Sequence, residues 1–166
     1  MRRFLHTIDR ISEWSGKVFS WLLLLTAGII SYEIFMRLFG RAQLWVFDIT
    51  LFSAGVVYVM GGAYTLLHNK HVKMDILYTR LSPRMQALID LITLPGFLVF
   101  CGILFWMGGV RGWESFLMKE TIYTAFQPPV WPVRWTIPLG AMLIILQGLA
   151  KAIRDFHMVV KGEKLD

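Results

Sequence analysis

Four ionisable residues, Glu33, Arg37, Asp48 and Asp90, lie within or at the ends of long apolar stretches. Burying an ionised group there costs several kcal/mol unless a partner or water meets it. Glu33 and Arg37 are four residues apart with the acid on the amino-terminal side, the better order for an ion pair on one helix face. Arg37 precedes the end of its stretch by about two residues, and Asp48 follows the start of the next by about three. At about 1.5 Å of rise per residue those depths nearly match, so a hairpin would set the guanidinium beside the Asp48 carboxylate and let three charges share one network. A proton or cation carrier must discharge its acid, and an arginine one turn away opposes that. The spacing therefore favours a structural or subunit-contact role over transport through Glu33. Asp90, about one turn inside its own stretch, is expected to reach the inner interface or a partner.

Other constellations carry less. His68, His71 and Asp75 have the spacing of a helical metal site, but Asn69-Lys70 put a cation beside it and no further ligand lies at matching depth. A haem between helices would need facing histidines in the membrane, and His6 and His157 are near the termini. The single cysteine, Cys101, allows neither a disulfide framework nor a thiolate cluster. No Ser/His/Asp or Cys/His set, phosphate-cradling glycine loop or paired-acid arrangement is present. The chain is expected to be no enzyme, with no metal or cofactor of its own.

The elements that must hold these residues follow from composition. Of 166 residues, 56% are hydrophobic and 17% charged, against about 25% charged in ordinary globular domains. That excess of apolar surface calls for lipid. Four stretches, about 18–39, 45–67, 86–110 and 132–153, are each long enough to cross a bilayer as a helix. The fold class expected is an all-α membrane protein, a single domain of four antiparallel transmembrane helices with a short amphipathic amino-terminal segment. In that segment Phe4, Ile8, Ile11 and Ser15 share one side, as in a helix lying in the interface plane or one continuing the first span. Twelve of the 17 Lys and Arg fall on the face shared by both termini and the middle connection, which places both termini in the cytoplasm. The net charge of +6 thus reports topology, with no nucleic-acid motif beside it. Trp14, Trp21, Trp45, Trp131 and Trp135 near span ends read as an interfacial belt. Gly55 with Gly62, Gly102 with Gly109, and Gly108 with Gly112 mark close helix neighbours within this chain or beyond it, and Pro95-Gly96 invites a kink.

With those features in place, the sequence resembles the small integral-membrane (DctQ-like) subunit of tripartite ATP-independent periplasmic transporters. The resemblance rests on Glu33-Ile-Phe-Met-Arg37, Trp45-Val-Phe-Asp48, Asn69-Lys-His71-Val-Lys-Met-Asp75 followed by Leu81-Ser-Pro83, and Ile137-Pro138-Leu139-Gly140. It implies a scaffold subunit in the bacterial inner membrane, bracing a large DctM-like elevator subunit that binds substrate and Na+. A periplasmic binding protein would deliver small organic anions such as carboxylates or sulfonates. On that reading Glu33, Arg37, Asp48, His71 and Asp75 form structural or subunit-contact networks. Arg41, Lys119, Glu120 and Arg134 are candidates for docking the binding protein, and membrane lipids surround the spans. The alternative is a self-sufficient proton-coupled carrier using Glu33.

Overall fold

A computed structural model describes residues 2–68, 81–124 and 126–161. Four helices account for most of them: α1 (Arg2–Leu38), α2 (Leu44–Leu67), α3 (Pro83–Leu117) and α4 (Trp131–Lys161). Among the described residues there is no strand, only an isolated bridge between Thr121 and Pro129. Each helix contains a run long and apolar enough to cross a membrane. Large side chains such as Trp21, Leu24, Tyr58, Val99 and Trp106 stand more than half exposed around the outside. An outer surface of that kind is stable in lipid, and the chain is a membrane protein.

Local chemistry sets the helix ends. Gly40, at φ +69, closes α1: its N–H donates to the Arg37 carbonyl at 2.9 Å and that of Arg41 donates to the Met36 carbonyl at 3.1 Å. This double bond to the last turn needs a left-handed residue, which glycine supplies without strain. Ser82 caps α3, its hydroxyl accepting from the Met85 N–H at 3.4 Å. The helix then runs unbroken through Pro95.

The helices outrun the predicted spans. With 37 residues, α1 is about 55 Å long by the helical rise, well beyond a hydrocarbon core of about 30 Å. The amino-terminal segment is therefore the first part of α1, not a separate helix. Its buried stripe is Leu5, Ile8, Ser12 and Ser15, whereas Ile11, expected on the inward side, is 44% exposed. Leu5 and Ile8 pack with Ala150, Leu146 and Ile153 of α4. The expected side shares Ile8 and Ser15 with this stripe, but its apolar periodicity takes Ile11 in place of Ser12.

In the order of their packing the helices run α1, α2, α4, α3, with a smaller contact of α1 on α4. Close approaches fix the register. Gly62 and Gly140 seat α2 and α4 together: a Cβ on Gly140 would lie 2.8 Å from the Val59 carbonyl oxygen, so only glycine fits. Along α3 and α4, Asp90 meets Lys151, Phe97 meets Gly148, and Gly108 meets Ile137 and Pro138. Gly112 is likewise in contact with Trp135, but Gly55, Gly102 and Gly109 have open space where a Cβ would go. The glycine stripes are thus only partly used inside the chain.

Candidate functional site

Polar side chains gather at the two ends of the helix layer. At the end that the charge distribution of the sequence makes the outer one, Glu33 is buried at 7% exposure, and Arg37 Nε donates to its Oε1 at 2.6 Å, as the four-residue spacing requires. Asp48 is more deeply buried, at 2% exposure, and one of its carboxylate oxygens accepts from the Thr124 hydroxyl at 2.7 Å. The expected Arg37–Asp48 contact is absent from the ion pairs of the described residues. Arg37 folds back along its own helix to Glu33 and keeps 67% of its side chain exposed, while Asp48 is engaged by the outer connection instead. The single three-charge network is therefore two separate contacts.

The outer connection is short and ordered by its own hydrogen bonds. The Ile122 N–H donates to the Pro128 carbonyl at 3.2 Å, and the Val130 N–H to the Glu120 carbonyl at 2.9 Å. Arg134 Nη2, from the first turn of α4, donates to Glu120 Oε1 at 2.6 Å. Of the four candidate docking residues, Glu120 and Arg134 thus hold each other, while Arg41 and Lys119 are exposed. His71 and Asp75 lie outside the described residues. Through Nδ1, His68 contacts the Tyr64 carbonyl at 3.1 Å, and among the described residues no three His, Cys, Asp or Glu side chains gather as a metal site.

The inner end holds a network that the sequence reading missed. Gln147, 1% exposed in the middle of α4, accepts from the Ser12 hydroxyl at 2.9 Å and donates to Asp9 Oδ1 at 3.1 Å. Arg154 Nη2 donates to the other Asp9 oxygen at 2.5 Å. One turn away Lys151 pairs with Asp90 of α3 and with Asp155 at 3.1 Å. Asp90 thus finds its partner inside the chain. A signal was available: Gln147, Lys151 and Arg154 recur at helical spacing and draw one polar line down an otherwise apolar helix. Counted only as inside-positive charges, Lys151 and Arg154 gave no hint of it.

Chemically these groups fasten. Each acid among them meets a base, a hydroxyl or an amide. The contacts join α1 to α4, α3 to α4, and α2 to the outer connection. No individual curated protein matches the chain. A family model described as "Tripartite ATP-independent periplasmic transporters, DctQ component" matches residues 26–158, from the middle of α1 to the last turn of α4. That stretch takes in Glu33, Arg37, Asp48, the outer connection and the inner residues Asp90, Gln147, Lys151 and Arg154. A four-helix membrane protein matched over most of its length in this way belongs to the DctQ component family of the tripartite ATP-independent periplasmic transporters.

Proposed function

We propose that this chain is the fixed scaffold of its transporter, bracing a large DctM-like elevator subunit in the bacterial inner membrane. A periplasmic binding protein delivers the substrate, a small organic anion such as a carboxylate or sulfonate, and Na+ binds on the large subunit. The observation that carries this reading is the use of the membrane-depth charges. Glu33 is paired with Arg37 on its own helix, while Asp48 is held by Thr124 and Asp90 by Lys151, so each membrane-depth acid has a partner within the chain. α3 continues through Pro95 and α4 through Pro138, and among the described residues there is no pair of broken half-helices of the sort that coordinates ions and anionic substrates. The same facts weigh against a self-sufficient carrier built on Glu33.

Purification in mild detergent tests the proposal. The scaffold reading expects a large multi-span protein to remain attached, and expects no solute flux from the chain reconstituted alone. Proton-driven uptake by liposomes holding this chain and nothing else would establish the carrier in its place.

A further inference from the structure

We propose that the outer connection carries a phospholipid site, in which Lys119 and Arg134 hold the lipid phosphate and the acyl chains run down the end of α3. The inference depends on the chain's lying in a membrane and not on the identity of its protein partners. An open hollow of ≈ 520 Å³ lies beside the end of α3, lined among others by Lys119, Glu120, Tyr123 and Arg134. Two cations and one carboxylate leave it one positive charge, the complement of one phosphodiester.

Lys119 is the telling residue. It occupies the left-handed closing position of α3 at φ 50, with its N–H on the Phe116 carbonyl and the Glu120 N–H on that of Ser115. That is the same closure Gly40 gives α1, yet here a long cationic side chain sits where glycine is favoured. Gln127 of the same connection, at φ 46, is left-handed too, but of the two only the Lys119 side chain lines the hollow. The Lys119 ammonium has no ion-pair partner among the described residues and stands exposed at the hollow.

The apolar surroundings suit a lipid better than a free anion. Trp113, Phe116 and Trp131 form a strip of rings, with centroids 6.1 Å and then 5.4 Å apart, joining the end of α3 to the start of α4. Met118 continues it into the hollow at 78% exposure, and Tyr123 is fully exposed. Amphipathic rings of this type favour the headgroup level of a bilayer. The bond from Thr124 to Asp48, one turn inside α2, keeps the connection down at that level.

The test is native mass spectrometry of the delipidated full chain, titrated with phosphatidylglycerol or with inorganic phosphate alone. We expect one phosphatidylglycerol to bind above the background of loosely attached molecules, with no competition from inorganic phosphate. Lys119→Gly relieves the left-handed backbone, so thermal stability should hold or rise while lipid affinity drops about tenfold, the worth of one charge-assisted contact. Lys119→Arg should keep most of the affinity. Unchanged lipid binding by Lys119→Gly, absence of a discrete bound lipid in the wild type, or equal binding of inorganic phosphate would each overturn the proposal.

Discussion

Asp48 and Thr124 are 76 residues apart in sequence and 2.7 Å apart in space. Their hydrogen bond ties the first turns of α2 to the connection between α3 and α4, and so spans the two halves of the chain. At the inner end Gln147 and Arg154 of α4 do the same for Asp9 of α1. The two helix pairs are thus fastened at both ends of the helix layer.

Removing the Thr124 hydroxyl should loosen the outer face. Thr124→Val leaves the buried Asp48 acceptor without its donor, a loss of about 1–3 kcal/mol. Thermal melting in detergent should fall accordingly, and protease should cut within residues 118–130 sooner. Thr124→Ser should restore both. A Thr124→Val protein with wild-type melting and cleavage would show that the bond holds nothing.

The inner tie lends itself to a double-mutant cycle. Asp9→Asn and Arg154→Gln, each about three-quarters covered at the side chain, should couple by about 1 kcal/mol or more. Glu13 with Lys17, a far more exposed pair at a similar distance, should couple much more weakly because solvent screens it. Equal couplings in unfolding free energy would contradict the assignment of the inner network as a fastener.

Arg37→Ala strips the buried Glu33 of its cation, and the proposed scaffold role makes the consequence specific. Yield of the complex and transport rate should drop several-fold, in line with about 1–3 kcal/mol for an unpaired buried group. Substrate affinity of the binding protein should stay the same. Normal co-purification and normal transport would remove Arg37 from the site.

Two glycines of the same type should respond in opposite ways. Gly140→Ala drives a methyl group into the Val59 backbone, which cannot step aside, and should cost about 1–3 kcal/mol with loss of folded yield. Gly102→Ala meets open space within the chain and should leave stability of the isolated protein unchanged or slightly higher. If Gly102→Ala melts normally yet fails to hold a partner, the open stripe on α3 is a contact surface.

The all-α membrane class, the four described helices and the Glu33–Arg37 pair were legible in the sequence, because each depends on composition or on spacing within one helix. Contacts between helices were not. Depth matching brought Arg37 and Asp48 to one level but carried no information on the rotation of α2, which turns Asp48 to Thr124. Ser12 and Gln147 are short or neutral side chains, invisible to a search for charges, and become a site only when α1 and α4 are laid together. Lys119 looked like one more loop cation; its backbone angle sets it apart, and no property of the residue type announces that.

The packing order places α4 between α2 and α3, with α3 resting almost wholly on it. α4 is also the last of the four described helices in chain order. Until it is threaded into the bilayer, α3 lacks its main neighbour, and Asp9 and Asp90 lack Arg154 and Lys151. Insertion of the fourth helix is therefore the step that closes the layer: three helices alone leave α3 apart from the α1–α2 pair.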